Sequence, residues 1–313
     1  ILAVIKSTIS CKCYQKYDGV VEHVIKSKLP HEYLKETDLP KSWDWRNING
    51  TNYCGKVLTQ VNPNVCGSCW AEAATGALSD RFAIATSGKL RVTLAPQILI
   101  NFNARTSGGS CNGGDDIKSY DFIHKYGIAD DTCAPFTGLN WQWGFEVAAM
   151  TKVETVQAHQ CRSCLWDGSC IYIPREKVKL YGVEEFGSVK GVSAMKAEIY
   201  ARGPISCLIN SMAREFNYYS GGIVTCAGKD PACDDDVDHY VILAGWGVDK
   251  ETGMEYWIGR NSYGTHWGEG AEGGWFRVKL GSDVLKLESA GCGWAVPAQA
   301  DVDQALKRFD DAL

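Results

Sequence analysis

Residues 60–70 read QVNPNVCGSCW, with Cys66 and Cys69 three positions apart and Trp70 directly after. A C-x-x-C of this kind serves as a redox dithiol, as half of a zinc site, or as a nucleophile beside a structural disulfide. The residues that follow separate these readings. Ala74, Leu78, Phe82 and Ala85 recur every three or four positions down to Ser87-Gly88, which predicts a helix starting at or near Cys69 and capped by glycine. No βαβ pattern surrounds it, which disfavours a thioredoxin-like dithiol. Cys161 and Cys164 form a second C-x-x-C, so a four-cysteine zinc site is formally available, but an oxidising compartment argues against it. A thiol at a helix N-terminus beside an imidazolium is instead pushed toward the attacking thiolate.

Composition supports that compartment. The chain has 313 residues, 45% hydrophobic and 22% charged, enough for one large domain or two lobes sharing a cleft. Net charge is −5 and no basic run exists, so nucleic acid is not an expected partner. No run of about 18 apolar residues is present, so no membrane span is expected. The opening ILAVIKSTIS reads as too short and interrupted for a complete signal peptide, with an already trimmed one as the open alternative. Fourteen cysteines are the outlier. In a cytosol they would need metal or catalytic roles; in a lysosomal or secreted protein they read as a disulfide framework. The sequon Asn49-Gly50-Thr51 points the same way, with Asn49 as glycan acceptor.

Residues 1–38 are Lys- and Glu-rich with little apolar periodicity, and the character changes at Leu39, leaving 39–313 as the main body. IKSYDFIHKY at 117–126 reads as a second helix. HYVILAGWGVD, EYWIGRNSYG and GWFRVKL read as antiparallel strands. An α+β protein of two lobes follows. The tail at 298–313 reads as a short amphipathic helix. Cys69 as nucleophile requires a histidine from elsewhere. Of the six, only His239 sits in a strand-like run, and Asn261 downstream is able to orient it.

CGSCW, DHYVILAGWG and RNSYGTHWG together resemble the three active-site blocks of the papain-like cysteine proteases. PHEYLKETDLPKSWDWRN and MKAEIYARGPISC resemble the cathepsin X (cathepsin Z) branch of that family, over about Cys13 to Cys292. The resemblance implies a helical left lobe, an antiparallel β-barrel-like right lobe, and an active-site cleft between them. It implies that Cys69 attacks the scissile carbonyl, that His239 acts as base and then acid, and that Asn261 orients His239. Gln60 and the Cys69 backbone N–H would hold the oxyanion, and Gly113 and Gly114 of CNGG would pair with an extended substrate. A monomer acting on peptide or protein substrates, without cofactor or metal, is expected.

Cys69 follows Gln60 with three residues more than the usual family spacing, aligned at Val61, Asn62 and Pro63. In cathepsin X this mini-loop blocks the far side of the cleft, and its histidine grips a substrate's C-terminal carboxylate, making a carboxypeptidase. Here the proline is kept and the histidine is gone. Carboxypeptidase activity that is altered, with some endopeptidase action, is therefore expected; a non-catalytic binding protein is the alternative of another class. His266, beside Trp267 on the same side, is read first as a plain surface histidine and second as a substitute cation. Tyr263 stands where the family usually carries Trp over the Asn–His pair, and Glu72 is expected as a solvated carboxylate in the first turn of the nucleophile's helix.

The same resemblance implies bridges Cys66–Cys111, Cys133–Cys161, Cys164–Cys170 and Cys207–Cys292. Cys226 and Cys233 are expected to pair across a surface loop, leaving Cys11 for Cys54. Residues 1–38 correspond to a short propeptide, tethered by a reversible Cys13–Cys69 disulfide. The chain would then be a zymogen, latent until it is reduced and cleaved near Leu39.

Overall fold

The Ala-rich run after Ser68 forms helix α1 (Cys69–Ala85), buried on every side from Cys69 to Ala83. A helix buried on every side belongs inside a molecule rather than on it, and the polar residues it carries then need partners there. The structure, a computed structural model, describes residues 13–102, 107–140, 161–227, 230–234 and 236–311. α1 ends at Thr86, and its last turn closes through the Gly88 N–H to the Ala83 carbonyl at 2.7 Å. Around it lie α2 (Pro96–Ile100), the two-residue strands β2 (Gly109–Ser110) and β3 (Gly113–Gly114), and α3 (Asp116–Tyr126). Asp115 caps α3 by accepting from the Lys118 N–H. Leu78, Phe82, Ile98, Leu99, Phe122 and Ile123 make the core of this lobe.

The second lobe is an open antiparallel sheet. Its strands are β6 (Val183–Val189), β7 (Ile205–Ile209), β8 (His239–Val248), β9 (Glu255–Arg260), β10 (Trp275–Lys279) and β11 (Cys292–Pro297). They run in the order β10-β9-β8-β7-β11-β6, with β1 (Trp43–Asp44) pairing β8 from off this path. β6 and β10 do not meet, so the sheet does not close into a barrel. β8 is buried from His239 to Gly247 because it serves both lobes. Tyr240 and Ile242 face the helical core while Val241 and Leu243 face the sheet core, as the two-residue repeat of a strand requires. Helix α4 (Val192–Arg202) packs on the sheet, adding Met195 and Ile199 to that core. The hairpin β4 (Arg162–Cys164) and β5 (Cys170–Tyr172) stands apart.

Two buried ion pairs join the lobes through neighbouring residues of α1. Arg81 donates to Glu198 of α4 at 2.9 Å and to the carbonyls of Pro204, Gly203 and Ala295. Asp80 accepts from Arg260, the last residue of β9, at 2.9 Å. The disulfides formed among the described residues are Cys66–Cys111, Cys133–Cys161, Cys164–Cys170, Cys207–Cys292 and Cys226–Cys233. Cys54 is a buried free thiol, so the expected Cys11–Cys54 bridge is not made; Cys11 lies outside the described residues. The tail forms a helix at Gln299–Asp310, docked by Val302 and by Asp301 to Lys179 at 2.7 Å.

The N-terminal segment crosses the cleft and then runs along the sheet lobe. It is held by backbone bonds more than by apolar packing. Val24 pairs with Phe186, the Lys26 and Ser27 N–H groups donate to Glu185, and Arg202 donates to the Lys28 carbonyl. Val20 and Ile25 stay exposed at 92% and 49%.

Candidate active site

Cys69 occupies the first position of α1, where Ser68, Cys66 and the Cys66–Cys111 bridge hold the chain's entry into the helix. Its sulfur accepts the Tyr240 N–H at 3.3 Å across the cleft. His239 is the first residue of β8, set in register opposite Ile209. Its Nε2 lies 2.8 Å from the Asn261 side-chain oxygen, which also accepts the Ser262 N–H at 2.8 Å. Its other ring nitrogen is left to the cysteine side of the cleft, with Cys69 Sγ, Cys13 Sγ and a His239 ring nitrogen all within 4.8 Å of one another. Tyr263 lies over the imidazole, ring centres 4.9 Å apart, and is itself buried. Gln60 is positioned by its own backbone, whose N–H donates to Ser262, and by Ser262 Oγ, which donates to its side-chain oxygen at 2.7 Å. That leaves the Gln60 amide N–H pointing toward sulfur, 3.3 Å from Cys13 Sγ.

The expected Cys13–Cys69 disulfide is absent. Cys69 is a free thiol, and Cys13 is engaged in a disulfide elsewhere. The two sulfurs also answer to different donors, Gln60 for Cys13 and Tyr240 for Cys69. What crosses the site is backbone. The Cys13 and Tyr14 N–H groups donate to the Asp238 carbonyl on one wall, while Cys13 O and the Gln15 N–H bond Gly114 on the other, at 3.0 and 3.2 Å. Gly113 is required here, since a side chain would place Cβ 2.8 Å from the Cys13 carbonyl oxygen.

This burial reverses the expected thiol chemistry. Under the segment, burial pushes the Cys69 thiol well above its usual value, and Glu72 and Asp238 add to it against the Tyr240 hydrogen bond. Burial likewise pushes His239 down to about 4, with the Asn261 bond opposing. Both shifts favour the uncharged forms, thiol and neutral imidazole, while the segment covers them. The Cys13, Cys69 and His239 donors form the one soft grouping among the described residues that approaches metal-ligand spacing, but Cys13 offers a disulfide sulfur rather than a thiolate.

The mini-loop residues Asn62 and Pro63 are exposed and Val61 half-buried; a cavity of about 330 Å³ lies beside them, lined by Asn62, Lys56, Asp131 and Phe136. Lys56 is already paired with Asp131. His266 is exposed, and Trp267 packs on Tyr263 and Phe216. Three features escape the sequence reading. Ser262 sets Gln60. Asp115 and Asp116, immediately after CNGG, line a cavity of about 420 Å³ with Tyr14 and Tyr240, and burial and the Asp115 charge push Asp116 up to about 7. Glu72 is not solvated but 2% exposed, and burial pushes its carboxyl up to about 8 while Ser68 and Ser262 pull the other way. The acidic doublet was visible as such; nothing in the residues around Glu72 signals its burial.

The model of the papain family cysteine proteases matches residues 39–303. This chain belongs to the papain family. It is a cysteine peptidase of that family, 39% identical over 298 residues to cathepsin Z of Onchocerca volvulus, covering 91% of this chain and 87% of the relative. It is 30% identical over 304 residues to cathepsin B-like cysteine proteinase 6 of Caenorhabditis elegans, covering 92% and 76%. Digestive procathepsin L 3 of Tenebrio molitor shares the fold, with a TM-score of 0.61 at 21% identity over 84% of this chain and 72% of that one. Bromelain of Ananas comosus, in complex with the E64 inhibitor, does so with a TM-score of 0.59 at 22% identity, covering 82% and 99%.

Proposed function

We propose that this papain-family peptidase is a zymogen of the cathepsin X kind, with Cys69 as nucleophile, His239 as base and acid, Asn261 as orienting residue and Gln60 as oxyanion donor. The observation that carries the reading is a histidine held at 2.8 Å by Asn261, facing the free thiol at the start of α1. Once the segment over the cleft leaves, solvent returns and the thiol proton passes to the free nitrogen of His239. The thiolate attacks the scissile carbonyl, and the oxyanion takes the Gln60 amide N–H now given to Cys13, together with the Cys69 backbone N–H. His239 then protonates the leaving amine, and water, activated by the same imidazole, releases the acyl group.

Residues 1–38 act as the propeptide, and latency comes from Cys13–Gln15 lying across both walls. The Val61–Pro63 loop carries no cation, so a substrate's free carboxylate meets at best one neutral hydrogen bond from Asn62. Carboxypeptidase action is accordingly reduced and endopeptidase action emerges. A lysosomal or secreted location accords with the disulfides, and Asn49 lies exposed for a glycan. E64 treatment of the processed enzyme tests the centre: expected is one label on Cys69 with loss of peptide cleavage. Labelling without any cleavage beforehand would leave a binding protein. For specificity, a peptide acid is expected to be cleaved no more than about tenfold faster than its amide, the order of one neutral hydrogen bond. A preference far above that, unchanged in His266→Ala, contradicts the altered recognition.

A further inference from the structure

Behind the cleft, between α1 and the end of β9, lies a small pocket with about 10 Å³ of room for a water's centre. Glu72, Tyr240, Arg260, Asn261 and Ser262 line it. Two buried side-chain atoms on this lining have no hydrogen-bond partner among the described residues: Glu72 Oε2 and Asn261 Nδ2. Both residues are almost fully buried, at 2% and 3% exposure. One is an acceptor or, when protonated, a donor; the other is an amide donor. A space of this size is just enough for one water, two polar partners can order it, and leaving either atom unsatisfied is costly.

We infer that one buried water bridges Asn261 Nδ2 to Glu72 Oε2, and that Glu72 is thereby a positioning residue for His239. This rests on the reading of Cys69, His239 and Asn261 as the catalytic centre. The link matters because an asparagine side chain has two nearly isosteric orientations. In the observed one its oxygen accepts from His239 Nε2 and from the Ser262 N–H. Imidazole protonated at Nε2 leaves the Nδ1 lone pair free for the thiol proton. Were the amide reversed, an N–H would face Nε2, the ring would have to carry its proton on Nδ1, and it could no longer accept from Cys69. A water held by Glu72 accepts from Nδ2 and penalises that reversal. Glu72 serves in either protonation state: the carboxylate accepts from the water, and the acid donates to it. Ser68 Oγ, donating to Oε1 at 3.0 Å, keeps the other oxygen occupied.

A crystal structure of the intact chain at about 1.5 Å is expected to show one water within hydrogen-bond distance of both atoms. In the processed enzyme, Glu72→Gln keeps the water and stays within about threefold of the parent kcat. Glu72→Leu removes it and lowers kcat about tenfold with KM unchanged, the order expected for one unsatisfied buried amide. In that variant the His239 ring, followed by its ¹⁵N resonances, shifts population from the Nε2–H to the Nδ1–H form. A dry cavity, an unchanged tautomer and kcat in Glu72→Leu, or equal damage from Gln and Leu overturns the inference. Should Glu72→Leu fail to fold, the density in the parent and in Glu72→Gln decides it. Cys69→Ala separates the levels: if that variant still turns over, the centre itself is misread, whereas if it is inactive and the cavity dry, only the water link fails.

Discussion

The two walls of the cleft are built on opposite plans. The Cys69 wall is one helix buried all round, with its polar residues Glu72, Asp80 and Arg81 turned toward the opposite lobe. The His239 wall is a sheet with apolar faces, and the residues proposed for the chemistry stand at strand ends. His239 opens β8 and Asn261 follows the last residue of β9. A helix interior has no spare backbone groups, so its contribution is made by side chains reaching out. Strand ends have finished their ladder and have room for polar side chains. The helix wall is thus local in sequence, from Gln60 to Arg81, while the sheet wall is assembled from segments brought together by strand register.

The largest effect is expected from removing one chemical group from each wall. Cys69→Ala and His239→Ala are each expected to lower turnover of the processed enzyme by about 10⁴-fold or more, with the urea midpoint unchanged. Persisting turnover in Cys69→Ala would remove the helix wall from the chemistry. Next come the ties between the walls. Arg260→Ala takes the ion-pair partner from buried Asp80 and is expected to cost about 3–5 kcal/mol in urea unfolding; Arg81→Ala leaves Glu198 with Arg202 at 3.9 Å and is expected to cost less. A loss under about 1 kcal/mol in Arg260→Ala would show that apolar packing alone holds the lobes together.

Smaller effects sharpen the site. Gln60→Ala is expected to lower kcat by about 10²–10³, or about 2.7–4 kcal/mol of barrier, without changing the fold; an effect on KM alone would place Gln60 in ground-state binding. For the N-terminal segment, Glu185 is the titrating anchor. Burial raises its pKa, but the Lys26 and Ser27 N–H bonds and the Ser27 hydroxyl outweigh this and hold it below its ordinary value. Its contribution to docking is therefore complete above the ordinary glutamate range and fades as pH falls through the depressed value. Hydrogen-exchange protection of the Lys26 and Ser27 amides is expected to be flat from pH 7 to about 5 and to drop below about 4. Glu185→Gln removes that pH dependence, and a step at neutral pH would assign it to another group. The smallest effect is expected from Cys13→Ser. Cys69 is free and the backbone bonds to Asp238 and Gly114 remain, so the intact chain stays latent by peptide-cleavage assay; activity gained by this change alone would restore a covalent lock.

Local pattern was enough for much of the fold. The helix at Cys69, the helix ending at Tyr126 and the strands at His239, Glu255 and Trp275 were readable from periodicity and glycine punctuation, because helix and strand repeats are properties of short windows. The motif blocks also named the residues to look for in the cleft. The barrel-like closure was not decided by them, since closure depends on whether β6 and β10 meet after twisting.

By itself, the sequence determined the family, the order of the helical and sheet regions, and the identities of Cys69, His239, Asn261 and Gln60 as residues for the cleft. Only the tertiary structure decided that Cys69 is free beside a Cys13 bonded elsewhere, that Cys54 is a thiol, and that Glu72 is inside rather than in water. The reason is physical. A repeat is written along the chain, whereas sulfur pairing, burial and the proton affinities that follow depend on distances of a few ångströms between segments far apart in it.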